Sequence, residues 1–264
     1  MFLKFRNGYG FGTKKQKEDT TKRKMVLFCL SDLHGTCYEP RNRPIIECAW
    51  DQKPDLILAS GDMLSGDREE GDAIAVALLS RLSDLAPVCF VNGNHEMCVE
   101  RHQPERYQKF MDDLKNGGVQ VLHNETAWFW IDGEKVAVTG YELPWEYYRR
   151  FSRRHPSVVG MERSIGKRKQ DAYQILLTHN PVFFEEYTAW GADFTFAGHL
   201  HGGFIRLPYF GGVISPQFQL FPKYDHGLYQ MDTSSMVVGA GMGNHSGLFR
   251  INNPTEVVTV RIKR

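Results

Sequence analysis

Eight side chains of this sequence have the types and positions to hold metal ions or move protons. They fall in five clusters: Asp32-Leu33-His34, Gly61-Asp62, Gly93-Asn94-His95-Glu96, His179 within Thr-His-Asn-Pro, and Gly198-His199-Leu200-His201. Five of the ten His sit here with two Asp and one Asn, and none of the five Cys joins them. Imidazole, carboxylate and amide oxygen suit hard-to-borderline divalent ions such as Mn, Fe or Zn. One carboxylate can bridge two such ions about 3.5–4 Å apart, as in two-metal hydrolases. Two adjacent cations lower the pKa of a bridging water, giving hydroxide near neutral pH, and neutralise a phosphoryl group during in-line attack. A single His in a sequence is usually a satisfied structural imidazole; position is what distinguishes this set.

Each cluster follows a short apolar run. Val26–Leu30 leads to Asp32, Leu56–Ala59 to Asp62, Val88–Val91 to Asn94, Ala172–Leu177 to His179 and Phe194–Ala197 to His199. Continuous apolar runs of this length read as strands buried on both faces. Between them, residues 43–51, 72–85 and 104–115 have helical spacing. Pro54 and Pro87 stop the first two, Asp72 is the expected N-cap of the second, and Gly117-Gly118 ends the third. Strand–loop–helix units in series predict a parallel or mixed sheet, whose functional groups gather beyond the carboxyl ends of the strands. Later, 126–131 and 135–139 alternate around Asp132-Gly133, a hairpin signal. A helix over 181–189 and strands over 228–232, 235–238 and 256–262 complete the expectation.

Position also separates repeated motifs. Gly-Asp occurs at 61–62, 66–67 and 71–72, but only Asp62 directly follows a buried run. Gly-Asn-His occurs at 93–95 and 243–245; the second lies after all the other clusters, so His245 is expected to be at most a pocket-wall residue.

The ordered set D-x-H, G-D, G-N-H-[D/E], H, G-H-x-H resembles the signature of the calcineurin-like metallophosphoesterase superfamily, over roughly residues 25–262. GHLHGG, LPYFGGVISP, FPKYDHGLY, Arg250 and Asn253-Pro-x-Glu256 resemble the C-terminal pattern of its bacterial YkuE-like phosphodiesterase group. The resemblance implies an α/β fold, a four-layer α/β/β/α sandwich of two mixed β-sheets flanked by helices. It implies that Asp32, His34 and His201 hold one ion, that Asn94, His179 and His199 hold the other, and that Asp62 bridges. His95 would be catalytic, assisting the leaving group. Two divalent ions are expected, Mn first, with Fe or Zn as alternatives. The expected activity is hydrolysis of phosphate esters by a metal-bridging hydroxide, with diesters or pyrophosphates preferred over monoesters. A membrane-surface hydrolase of lipid phosphates or UDP-diacylglucosamine-type substrates is the alternative, and a non-catalytic metal-bound scaffold ranks below both. Glu96 is expected either to orient an imidazole or to serve as a helix N-terminal carboxylate.

Composition narrows the classes. Of 264 residues, 42% are hydrophobic and 24% charged, which excludes a mainly disordered chain. No apolar stretch approaches 18 residues and no signal peptide is evident, so a cytoplasmic protein, peripheral to the membrane at most, is expected. The five Cys read as free thiols; Cys37 and Cys98, just past two clusters, could approach each other. The net charge of +1 divides into +6 over residues 1–24 and −5 over the rest. Residues 1–24 are expected to be a basic disordered tail, or a polybasic contact to an anionic membrane, with Met1 and Met25 as rival starts; residues 25–264 are expected to be the metallophosphoesterase domain. Residues 141–170 carry eight Lys+Arg among five aromatics, which reads as a helical flap. Its function would be to gather polyanionic substrates; nucleic acid is the disfavoured partner.

Overall fold

The computed structural model describes residues 3–12, 24–66, 69–149, 154–203, 206–207, 211–213, 220–243 and 250–263, with backbone alone over 3–12. The first half runs β1 (Leu3–Gly12), β2 (Met25–Leu30), α1 (Arg43–Gln52), β3 (Leu56–Ala59), α2 (Glu70–Ser83), β4 (Val88–Phe90), α3 (Asn94–His102), α4 (Pro104–Asn116) and β5 (Gln120–Val121). The second half runs β6 (Thr126–Ile131), β7 (Glu134–Tyr141), α5 (Val158–Ile165), β8 (Tyr173–Thr178), α6 (Phe184–Trp190) and β9 (Phe194–Ala197). Then follow β10 (Arg206–Leu207), β11 (Gly211–Gly212), β12 (Gly227–Met231), β13 (Ser234–Val238) and β14 (Thr255–Lys263).

Two mixed six-stranded sheets result, ordered β1-β14-β2-β3-β4-β5 and β12-β13-β9-β8-β7-β6. β2, β3, β4 and β5 are mutually parallel, as are β7, β8, β9 and β13. The apolar runs are continuous because each strand buries both faces. In β2 and β3, Leu27, Cys29, Leu56 and Leu58 face the second sheet, while Phe28, Leu30, Ile57 and Ala59 face the helical layer holding Leu78, Leu79 and Phe110. Tyr187 and Trp190 of α6 and Met161 of α5 cover the other side of the second sheet, against Leu176. The layers are therefore helix, sheet, sheet, helix, as expected.

Several boundaries differ from the sequence expectation. Residues 3–12, read as part of a tail, run as edge strand β1, parallel to β14; residues 13–23 lie outside the described residues. Asp72 does not cap α2, which begins at Glu70. Its carboxylate is instead held by Arg106 at 2.7 Å from both Nε and Nη2, and that ion pair outweighs the local capping preference. α3 was not foreseen, because its polar first turn is itself a functional cluster. The helix expected over 181–189 is a 3₁₀ turn, Pro181–Phe183, that continues as α6. The expected flap contains a 3₁₀ turn, Trp145–Tyr148, and α5; residues 150–153 lie outside the described residues. Two of its cations are tied down: Arg154 pairs with Glu146, and Arg168 with Asp193.

β1 pairs only with β14, at the far edge of the first sheet from β4 and β5. A chain beginning at Met25 should melt a few degrees lower, since an edge strand is lost, yet hydrolyse a soluble phosphodiester as fast as the full chain. Differential scanning calorimetry and initial rates test this. Loss of most turnover in folded protein would mean that β1 supports the site.

Candidate metal centre

The parallel strands β2, β3, β4, β8 and β9 all deliver their carboxyl ends to one rim, where the chain must turn at once. Asp32, His34, Asp62, His199 and His201 adopt φ of 53°, 47°, 53°, 68° and 51°. For a side chain with a Cβ this left-handed region costs on the order of 1 kcal/mol per residue and persists only where neighbours enforce it. Here the loops after β2 and β3 bond to each other: Asp32 N–H to Gly61 O, His34 N–H to Asp62 O and Gly35 N–H to Met63 O, each at 3.0 Å. Close approach also fixes two glycines. A Cβ on Gly93 would collide with Asp62 Oδ1, and one on Gly198 with Asp32 Oδ2.

Seven of the eight predicted residues come together in three linked triads: Asp32–His34–His201, His34–Asp62–His95 and Asp62–His179–His199. Within each triad the nitrogen and oxygen atoms lie within 4.8 Å of one another. His34 Nε2 and His201 Nε2 are 3.3 Å apart. His179 Nε2 is 3.1 Å from Asp62 Oδ2 and 3.9 Å from Asp32 Oδ1. Asp32 accepts the His199 amide at 3.1 and 3.2 Å, and Asp62 Oδ1 accepts the His95 amide at 2.8 Å. Asn94, the eighth residue, opens α3, and its buried Oδ1 has no hydrogen-bond partner among the described residues. His245 lies outside the described residues.

The surroundings of these atoms test whether they suit metal ions. The His179 Nδ1–H donates to Ser60 O at 2.6 Å, so in the neutral ring Nε2 presents its lone pair toward the carboxylates. Burial works against a charged His179, but Asp62 beside it lifts its pKa to about 9. Burial also raises Asp62, yet the His179, His95 and His34 imidazoles outweigh it and hold the carboxyl well below its usual range. Asp32, less compensated, is pushed by burial to about 6. An ion at this point therefore competes with a proton on His179, and its uptake is pH-dependent. Asn94 Oδ1 is an orphaned acceptor of the kind an ion satisfies. His201 is the exception: Arg250 Nη2 stands 2.8 Å from its Nδ1. A guanidinium only donates, so the neutral ring carries its proton on Nε2, and an ion there must displace it.

His95 is held differently. Gly66 N–H donates to its Nδ1 at 3.3 Å, leaving the proton on Nε2 of the neutral ring. Arg106, a residue the sequence reading missed, fixes that loop by donating to Ser65 O at 2.9 Å while clamping Asp72. Glu96 fills the helix-terminal role of the two expected for it. Its Oε2 accepts the amides of Asp62 at 2.7 Å and Gly93 at 2.8 Å, and its Oε1 that of Leu64 at 2.9 Å. Burial pushes this carboxyl to about 6. Cys37 and Cys98 each contact a neighbour on their own segment, Glu39 and His102. Tyr148, one of the five aromatics of the expected flap, packs edge-on against His199.

A family model described as calcineurin-like phosphoesterase matches residues 25–203. The chain is 26% identical over 239 residues to phosphodiesterase YaeI of Escherichia coli (strain K12), spanning 90% of this chain and 81% of that protein. It is 25% identical over 224 residues to the uncharacterized metallophosphoesterase YkuE of Bacillus subtilis (strain 168), spanning 83% and 72%. The solved structure of Haemophilus influenzae NAD nucleotidase NadN shares the fold with a TM-score of 0.54 at 15% identity, over 83% of this chain and 45% of that one. Among the described residues no helix is long and apolar enough to cross a membrane.

Glu96→Gln should unlock this rim. An amide replaces one acceptor oxygen with a donor that faces a backbone N–H, which costs about 1–3 kcal/mol for the group left unsatisfied. The expected outcome is a lower urea midpoint together with weaker metal retention. An unchanged midpoint would mean that the three amides do not depend on the carboxylate.

Proposed function

The chain belongs to the calcineurin-like phosphoesterase family, and from that premise we propose that this phosphoester hydrolase is a two-metal enzyme acting on phosphodiesters or pyrophosphates in preference to monoesters. The observation that carries it is the linkage of the triads through Asp62, which belongs to one group with His34 and His95 and to another with His179 and His199. In this proposal Asp32, His34 and His201 hold one ion, Asn94, His179 and His199 the other, and Asp62 bridges them. Bound there, divalent ions, Mn first with Fe or Zn as alternatives, supply Lewis acidity toward the phosphoryl oxygens and bring the pKa of a coordinated water toward neutrality. In this reading His95 stays out of the ligand set, as the family resemblance implies, and the bond from Gly66 N–H to its Nδ1 leaves the proton on Nε2 of the neutral ring. From there it donates a hydrogen bond to the leaving oxygen as charge develops. The diester preference is supported by the similarity to YaeI, named a phosphodiesterase.

A second reading, an amphiphilic phosphate ester taken from a membrane surface, is favoured by one observation. Leu207, Leu220, Phe221 and Ile251 are exposed. They lie on the strand system that abuts the histidine loop: Arg206 N–H bonds Ile251 O, and Gly212 packs on Gly202. Comparing rates on bis-p-nitrophenyl phosphate with rates on a short-chain phospholipid above and below its micelle point separates the two readings. A metal-bound scaffold would take up ions and turn over neither substrate.

Two variants test the roles. Elemental analysis should find two ions per chain in wild-type protein. Asp62→Asn should lose occupancy at both positions together, and full activity in that variant would refute the bridge. His95→Ala should lower kcat by about 10²–10⁴-fold with metal content unchanged. A variant that loses its ions instead would make His95 a ligand.

A further inference from the structure

Tyr148 ends the 3₁₀ turn after β7 and sets its ring edge-on to His199, with centroids 5.2 Å apart and planes at 80°, and 6.0 Å from His179. The residue is 8% exposed and its hydroxyl has no hydrogen-bond partner among the described residues. Three other buried tyrosines are satisfied: Tyr187 donates to Asn180 O at 2.7 Å, Tyr38 to Met242 O, and Tyr107 accepts from Asn92 Nδ2 at 2.6 Å. A buried O–H without a partner carries its full desolvation penalty. Phenylalanine would fill the same space among Tyr141, Leu143 and Met161 without that penalty. Packing therefore accounts for the ring and leaves the oxygen unexplained. Among the atoms proposed to hold ions, Asn94 Oδ1 is an unpartnered acceptor that brings no hydrogen, whereas the Tyr148 hydroxyl, like the buried Ser60 Oγ and Asn180 Nδ2, has one to donate. Its ring contacts with both His179 and His199 set Tyr148 apart.

From this juxtaposition we infer that Tyr148 is a substrate-binding residue, its hydroxyl donating a hydrogen bond to a non-bridging phosphoryl oxygen at the His179–His199 end of the site. This rests on the two-metal phosphoesterase reading. A neutral donor at that place strengthens its bond as negative charge accumulates on the phosphoryl oxygens, and it adds no carboxylate to repel them.

Tyr148→Phe tests the inference in Mn-loaded protein, with inorganic phosphate as the probe. Calorimetric titration should give phosphate binding about ten- to hundredfold weaker than wild type, the range for a hydrogen bond to a charged group. kcat/KM on bis-p-nitrophenyl phosphate should fall by a similar factor, ion content should stay at the wild-type value, and the metal-free variant should melt no lower than wild type. Unchanged phosphate affinity would overturn the assignment. So would loss of an ion, which would make the phenol a ligand, or a lower melting temperature, which would give the hydroxyl a structural role. Wild-type protein that takes up no ion or hydrolyses no phosphate ester would overturn the two-metal reading as well. Wild-type activity with an indifferent Tyr148→Phe variant would overturn only the Tyr148 role.

Discussion

The Glu96 carboxylate touches no solvent and accepts three backbone amides drawn from two loops. Two belong to the turn after β3, at Asp62 and Leu64, and one to Gly93 after β4. Through it the two turns become one rigid piece, and the remaining geometry hangs on that piece. Asp62 can hold its left-handed backbone because its amide is anchored there, and its Oδ1 is then in place for the His95 amide. Gly93 has to be glycine because this anchoring draws its backbone against the Asp62 side chain.

The second constraint is the pairing of two sheets whose parallel strands share a sense. β2, β3 and β4 contribute Asp32, His34, Asp62, Asn94 and His95, while β8 and β9 contribute His179, His199 and His201. The triad that unites Asp62 with His179 and His199 draws on both sheets, as does the one that unites Asp32 and His34 with His201, while His34, Asp62 and His95 all follow strands of the first. The site therefore exists only when the apolar layer between the sheets is packed. Leu27, Leu58, Ile175 and Phe196 in that layer act on the chemistry by fixing the distance between the two sets of loops.

What could be read from the sequence was whatever repeats over short range. Strands buried on both faces announce themselves as unbroken apolar runs, so β2, β3, β4, β8 and β9 were legible with the clusters that follow them. β1 was not: Leu3, Phe5, Tyr9 and Phe11 of LKFRNGYGFG do alternate, but three glycines and a basic surrounding mask that period, and its pairing with β14 is a contact between opposite ends of the chain. α3 was hidden because Asn94, His95 and Glu96 look like loop chemistry, whereas Glu96 at the third helical position is also a capping residue. Arg106 gave no local signal, and Tyr148 none beyond its place among the aromatics of the expected flap. Arg106 acts by reaching Asp72 and Ser65, 34 and 41 residues away, and Tyr148 by lying against His199 across the second sheet.

Charge gives the last link between this donor set and a phosphate ester. Among the seven proposed ligands only Asp32 and Asp62 are anionic; the other five are neutral imidazoles and an amide. A pair of divalent cations in such a shell keeps about two units of positive charge uncompensated. Arg250, buried behind His201, adds to that field from outside the shell. In the proposed two-metal reading, a site of this sign stabilises a group that brings one negative charge and accumulates another during attack. A phosphodiester meets that description. On that reading its leaving oxygen falls to His95, whose Nδ1 is held by the Gly66 amide and whose neutral ring keeps its proton on Nε2. In the proposed mechanism the few carboxylates and the fixed histidine tautomer thus favour the same chemistry from two sides, one by the charge offered to the phosphoryl group and one by the proton offered to the group that departs.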